Sequence, residues 1–426
     1  TEHNAVMAYE LPNDDDEIRQ ECCESLDAAD PLADWRHEFV LPTGVTYLDG
    51  MSLGALPKAA SANVARVVDE QWGQGLVRSW NAAGWIDAPQ RLGAKVAPIL
   101  GVDADEVVVA DSTSVNLFKL LVAALRLRPN RRVILTESSN FPTNIYIAQG
   151  VARLSGDVEV KLVPGGKLDE ALDDNVAVAL LTHVDYKTSR MHDLFAVTER
   201  AHEYGALVLW DLSHSAGALP LDLSGCDVDL AVGCGYKYLN GGPGAPAYLF
   251  VARRHQDEIE QPISGWMGHA RPFDFAIDYK PAKGISRLLS GTPSIVALAA
   301  MEASLDIWNQ VDMSLVRAKS MAMSELFIRI IERRLGPSAI QLDSPRDSCR
   351  RGSHVGLRHP QGYAVIQAMI EQGVIGDFRE PDLMRFAFAP LYIGFVDVWR
   401  AATKLAKLVE TGEWDQPRFR KRAAVT

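Results

Sequence analysis

Ala206-Leu207-Val208-Leu209-Trp210-Asp211, followed by Leu230-Ala231-Val232-Gly233-Cys234 and then Gly235-Tyr236-Lys237-Tyr238, is the stretch that decides the fold. Both runs are short and continuously apolar up to a polar or glycine-rich end. Strands covered on both faces read this way, whereas a half-exposed strand alternates. Working outward, similar runs lie at 106–110, 132–136, 158–163, 176–182 and 247–251. Helical periodicity intervenes at 115–126, 144–154 and 194–204. This alternation predicts an α/β fold with a mostly parallel, doubly wound sheet and helices on both faces. A long helical stretch over 294–335 leaves that sheet and is broken by Gly336-Pro337. Strand patterns at 354–358, 374–380 and 383–388 then predict a smaller C-terminal α/β domain. The expected organisation is an acidic N-terminal arm (1–34, with Asp14, Asp15, Asp16 and Glu17), a large domain (35–310) and a small domain (311–426).

Composition narrows the function classes. The chain has 426 residues, 47% apolar and 23% charged, with a net charge of −12, so a sizeable core under an acidic surface is expected. Such a surface repels nucleic acid and anionic lipid, and neither is an expected partner. The one dense basic run, Arg418, Arg420, Lys421 and Arg422, reads as a solvated tail. Cys22, Cys23, Cys226, Cys234 and Cys349 are odd in number and irregular in spacing, so neither a disulfide framework nor a zinc ribbon is indicated. A reducing, cytoplasmic setting follows as the expectation. The sequence as given does not open on a signal-peptide pattern, and no apolar run approaches the roughly 20 residues that span a bilayer. His183, His192, His202 and His214 are too scattered to suggest a metal site.

In open α/β sheets ligands sit beyond the carboxyl ends of the strands. Past 206–209 come Trp210, Asp211, Leu212, Ser213 and His214; past 230–234 comes Lys237, 26 residues after Asp211. Past 132–136 come Asn140, Phe141, Pro142, Thr143 and Asn144. A lysine, a carboxylate, an aromatic ring and several hydroxyls gathered on one sheet edge are what pyridoxal phosphate requires. The amine holds the aldehyde covalently, the carboxylate keeps the pyridine nitrogen protonated, and a helix N-terminus takes the phosphate.

The sequence resembles the kynureninase family, in the aminotransferase class V group of fold-type-I pyridoxal-phosphate enzymes. The resemblance is carried by Tyr47-Leu48-Asp49-Gly50 with Ser52-Leu53-Gly54, by Asn140-Phe141-Pro142-Thr143, by the segments 210–217 and 236–244, by Ser264-Gly265-Trp266-Met267-Gly268-His269 and by Arg351-Gly352-Ser353-His354-Val355. It implies hydrolysis of L-kynurenine, or of its 3-hydroxy form, to anthranilate and L-alanine in tryptophan catabolism. Lys237 would carry the cofactor and move the substrate's α proton, Asp211 would pair with the ring nitrogen, and Phe141 would stack on the ring. Thr113, Ser114, Pro142, Thr143, Asn144, Thr182, His214 and Tyr236 would line the cofactor and its phosphate, with Tyr236 also a candidate acid–base. Trp266 and Thr292 would reach the phosphate across the interface of a homodimer with shared active sites. Arg385 would grip the substrate α-carboxylate, and Trp80 is a candidate for the aryl pocket. Two positions depart from the family pattern: Met51 stands where an Asn is usual, and Asn144 where an Asp is usual.

A cysteine desulfurase or selenocysteine lyase on the same fold is the nearest rival. It needs a nucleophilic cysteine in a C-terminal loop, and residues 350–355 hold none. A class V aminotransferase shares the first steps and is not separated by these residues, while a non-catalytic binding protein would not need both Lys237 and Asp211.

Overall fold

The computed structural model describes residues 9–12 and 17–422. Seven strands form the main sheet: β1 (Val107–Val109), β2 (Val133–Glu137), β3 (Glu159–Val163), β4 (Val176–Thr182), β5 (Leu207–Asp211), β6 (Leu230–Gly233) and β7 (Tyr248–Val251). Their order is β1-β7-β6-β5-β4-β2-β3. All neighbours are parallel except β7, which runs antiparallel to both β1 and β6.

The helices that matter for the site are α1 (Ala88–Leu100), α2 (Thr113–Leu127), α3 (Pro142–Ser155), α4 (Leu194–Glu203), α5 (Ile295–Trp308), α6 (Met313–Arg334), α7 (Gly362–Glu371) and α8 (Phe395–Thr411). Alternate strand residues face opposite layers. Val108, Ile134, Val178, Leu180, Leu209 and Val232 pack with Leu117 and Leu121 of α2 and Ala148 and Val151 of α3. Val109, Leu135, Ala179, Leu181, Val208 and Trp210 share the other apolar layer with Leu92 and Val96 of α1 and Leu298 and Leu305 of α5. Burial on both faces is why these strands carry no polar alternation.

The helical stretch expected over 294–335 is two helices. The chain turns at residues 309–312, where the Asp312 carboxylate accepts from Ser314 N at 2.8 Å and starts α6. The second sheet contains β8 (Gln341–Leu342), β9 (His354–Arg358), β10 (Asp377–Arg379) and β11 (Leu383–Ala387), in the antiparallel order β8-β9-β11-β10. The strand expected over 374–380 is divided at Gly376. Val374–Ile375 pairs in parallel with Thr46–Tyr47, and β10 pairs with β11. A Cβ at Gly376 would stand 2.9 Å from the Phe386 ring, so only glycine passes there.

Of the acidic N-terminal run, residues 14–16 lie outside the described residues. Residues Gln20–Ala28 form a helix, and Asp27 beyond its middle accepts from Phe395 N at 2.6 Å and Val396 N at 3.0 Å, capping α8. Asp30 pairs with Lys319 at 2.6 Å, both side chains buried. The basic run near the C-terminus is held as well: Arg418 pairs with Glu371, Arg422 with Glu380, and the Arg422 guanidinium lies over Tyr363.

Below the sheet, buried Asp229 accepts from His202 Nε2, Arg254 Nη2 and His255 Nε2, each at 2.8 Å, and from Val208 N at 2.9 Å. Burial would raise this carboxyl, but the bonds from His202 and His255 outweigh it and hold it well below the usual carboxylate range. The same bond raises His202. The depressed Asp229 stabilises the fold above about pH 4 and loses that contribution as pH falls through its folded value. The raised His202 stabilises below about pH 6.5 and loses its share as pH rises through its own folded value. Melting temperature against pH should therefore fall on both sides of this window, and Asp229→Asn should flatten both limbs.

Candidate active site

The parallel register sets the site. Thr182 pairs with Asp211, and Asp211 with Val232, so the carboxyl ends of β4, β5 and β6 stand level. Lys237 lies in the turn that leaves β6. Its Nζ is 3.4 Å from His214 Nε2 and 5.8 Å from the ring centroids of Phe141 and Tyr236. Burial, then the charge of Lys237 and the neighbouring His354, pushes His214 well below its usual value, so its neutral ring accepts from the lysine.

The turn is fixed from outside. Gly54 N donates to Tyr236 O at 2.8 Å, and Asn240 Nδ2 donates to Ala55 O at 3.0 Å. A Cβ on Gly54 would stand 2.3 Å from Lys237 O, which explains the glycine in the Asp49–Gly54 motif. Gly54→Ala should displace the lysine turn and lower kcat by about 10²-fold with little change in far-UV circular dichroism, since a displacement of about 1 Å has that scale of effect.

Asp211 is buried. Its Oδ1 accepts from Ser213 N at 2.9 Å and its Oδ2 from Asn144 Nδ2 at 2.9 Å. Asn144, Asn140 and Thr182 form one network behind it, with Thr182 Oγ1 donating to Asn140 Oδ1 at 2.5 Å. Pro142 and Thr143 open α3, and Pro142 at the first position removes a donor that would otherwise be unpaired. Phe141 is 38% exposed and its ring meets Tyr186 edge-on at 5.2 Å.

Thr113 and Ser114 form the first turn of α2, capped by Ser112. Thr113, Tyr236, Ser290 and Thr292 line a cleft of about 260 Å³ with Asp111. Asp111 is neutralised by Lys119 at 2.6 Å, and Lys119 also donates to Leu288 O at 2.7 Å. The hydroxyls and the positive end of α2 thus fit an anion such as a phosphate. Trp266 packs with Trp80 (6.3 Å between centroids) and Phe273 (5.7 Å), and Trp80 with Trp85 (5.9 Å). Trp80 and Trp266 therefore form one aromatic group, separate from the direct neighbours of Lys237.

Arg385 in β11 is buried and opposite Asp377 in β10. Its Nε donates to Asp377 Oδ1 at 2.7 Å, its Nη2 to Oδ2 at 2.5 Å, and its Nη1 to Tyr186 O. Nη1 and Nη2 each keep one hydrogen for a further carboxylate. Asp377 also takes Arg379 at 2.7 Å and Ser52 Oγ at 3.2 Å. Burial, then the charge of Asp377, pushes the nearby Asp49 carboxyl above its usual range. Asp377 carries no sequence signal of this role, because its pairing with Arg385 depends on strand register. Met51 is fully buried with Val184, Ala218, Leu219, Tyr238 and Ala387, an apolar cluster that suits a thioether where an amide was expected.

Among the described residues, no group of three His, Cys, Asp or Glu could hold a metal ion, and no helix is long and apolar enough to cross a membrane. All five cysteines are unpaired.

The arrangement of the two sheets and their helices is a fold shared with solved lyase and desulfurase structures. A C-DES variant with glycine covalently linked to its PLP cofactor superposes with a TM-score of 0.74 at 20% identity, covering 87% of this chain and 98% of that one. A cysteine desulfurase from Thermococcus onnurineus NA1 also gives 0.74, at 18% identity over 89% and 98%. Sequence is more specific. A kynureninase of Burkholderia mallei is 51% identical over 94% of this chain and 98% of its own length. One from Pseudomonas fluorescens is 51% identical over 95% and 99%. The kynureninase C-terminal domain family matches residues 316–405. The chain belongs to the kynureninase family and is an enzyme of it.

Proposed function

We propose that the chain hydrolyses L-kynurenine to anthranilate and L-alanine, using pyridoxal 5'-phosphate carried on Lys237. Full-length similarity to two kynureninases carries this reading. The arrangement of Lys237, Asp211 and Arg385 gives each step a group. When bound, the cofactor supplies an electron sink conjugated to the substrate's α carbon. Asp211, with one oxygen accepting from Ser213 N and the other from Asn144 Nδ2, would hold a proton on the ring nitrogen. Phe141 covers the ring, and Thr113, Ser114 and the end of α2 take the phosphate. Arg385, oriented by Asp377, fixes the α-carboxylate with its two free N–H bonds.

The amine of Lys237 then moves the α proton. Water adds at the γ-carbonyl, the β–γ bond breaks, the aryl acyl group leaves as anthranilate, and the β carbon takes a proton to give alanine. Tyr236, which lines the same cleft as Thr113, is assigned the acid–base role at the γ-carbonyl, acting through the phosphate. Trp80 is assigned to the aryl pocket.

The enzyme is read as a homodimer in which Trp266 and Thr292 of one subunit reach the phosphate bound by the other, Thr292 from the rim of its own chain's cleft beside Thr113. In support, Phe273, Phe275 and Ile277, close to Trp266 in sequence, are 60%, 77% and 102% exposed, an apolar surface that a second subunit would cover. The unpaired cysteines favour a cytoplasmic enzyme.

Sulfur chemistry is disfavoured by the thiols. Cys234, behind the lysine turn, is buried, which pushes its thiol up and away from the nucleophilic thiolate. Arg351 and Ser353 tie the 350–355 segment down through Pro345 O, Ser324 Oγ and Phe388 O. Purified protein with pyridoxal phosphate should release fluorescent anthranilate and alanine from L-kynurenine. Alanine from cysteine, with no anthranilate, would overturn the proposal in favour of a desulfurase.

A further inference from the structure

Asn144 stands where the family pattern led us to expect an aspartate, and its surroundings show why an amide belongs here. Phe141 N, which can only donate, lies 2.7 Å from Asn140 Oδ1. Leu180 O, which can only accept, lies 3.1 Å from Asn140 Nδ2. The Asn140 amide therefore has one possible orientation, with its oxygen toward residue 144. The Asn144 atom 3.0 Å from that oxygen must be a donor, and it is also the atom 2.9 Å from Asp211 Oδ2. The same nitrogen lies 3.2 Å from Thr182 Oγ1, whose own hydrogen goes to Asn140 Oδ1 at 2.5 Å, so position 144 gives hydrogen toward three oxygens, one of them a carboxylate. Both residues are buried, at 1% and 4% exposure, so water cannot stand in for the missing partner.

We propose that Asn144 is a positioning residue for Asp211: its amide occupies Oδ2 with an uncharged double donor and leaves Asp211 as the single carboxylate on this wall of the site. The consequence for the ring nitrogen rests on the function proposed above; the hydrogen-bond role itself does not. An ionised aspartate at 144 would have no hydrogen to give to Asn140 Oδ1 or Asp211 Oδ2, and the one hydroxyl beside it, Thr182 Oγ1, could turn to it only by giving up its bond to Asn140 Oδ1. Like charges at hydrogen-bond distance cannot both ionise freely, so the pair would retain a proton. The charged form of the added group is disfavoured in the fold, so the variant loses stability as pH rises and not as it falls.

The test is Asn144→Asp beside Asn144→Ala, with melting temperature of the full chain followed from about pH 6 to about pH 9, free of cofactor and with pyridoxal phosphate. Without cofactor, the gap between Asn144→Asp and the parent should widen by at least about 2 °C across that range. Asn144→Ala should lower the melting temperature by an amount that does not depend on pH. A gap for Asn144→Asp that stays constant, a gap for Asn144→Ala that widens equally, or an Asn144→Asp chain unfolded at every pH would each overturn the proposal. Pyridoxal phosphate should narrow the gap at high pH, because a protonated ring nitrogen adds a positive charge beside the carboxylates. If the gap widens with pH but the cofactor leaves it unchanged, the hydrogen-bond role stands and the pairing of Asp211 with the ring nitrogen fails.

Discussion

Lys237→Ala should abolish kynurenine turnover and, with it, the visible absorption of the lysine-bound cofactor, while the melting temperature of the cofactor-free protein stays within a few degrees of the parent. The turn that carries the residue is held by its backbone and neighbours, not by the lysine side chain: Gly54 N to Tyr236 O, Asn240 N to Lys237 O, and Gly241 N to Gly235 O. Among the described residues the Nζ makes a 3.4 Å contact with neutral His214 and lies over two aromatic rings. Removing it relieves the charge beside His214 and opens little space. Loss of proton transfer alone accounts for about 10²–10⁴-fold in kcat, and loss of covalent attachment adds to it. Added alkylamines should restore part of the proton transfer, which a collapsed turn would not permit.

The second large effect concerns Arg385. Arg385→Leu should raise KM for L-kynurenine and also destabilise the fold by roughly 3 kcal/mol, near the low end for breaking a buried ion pair because Arg379 remains on Asp377. Arg385→Lys keeps a charge but not the fork, and it should raise KM by about 10- to 100-fold, the scale of a lost charged hydrogen bond. The informative variant is the pair Arg385→Leu with Asp377→Leu. Replacing both partners by apolar groups removes the uncompensated charge, so urea unfolding should recover most of the stability while KM does not improve. Recovery of both would mean that Arg385 acts only as a structural partner of Asp377.

The sheet was legible because its inner strands are buried on both faces and written as unbroken apolar runs, whereas the edge strand β3 alternates with Glu159 and Lys161. Only the direction of β7 escaped, since periodicity does not encode strand polarity. The helix over 294–335 was read as one because Asn309 and Gln310 are tolerated in helices; the cap supplied by Asp312 becomes evident once its bond to Ser314 N is seen. In the site, Lys237 and Asp211 stood out because each follows an apolar strand. Asp377 did not, because its only signal is a position across the hairpin from Arg385. The reason for Asn144 depends on the orientation of Asn140, which is a matter of hydrogen-bond partners and not of residue type. Met51 looked like a lost polar contact and is instead a core side chain.

The most direct measurement locates the cofactor. The protein loaded with pyridoxal phosphate is reduced with borohydride, digested, and its modified peptide identified by mass spectrometry. The label should lie on Lys237 alone. A label on Lys119, Lys319 or any other lysine, with Lys237 unmodified, would contradict the account from its foundation.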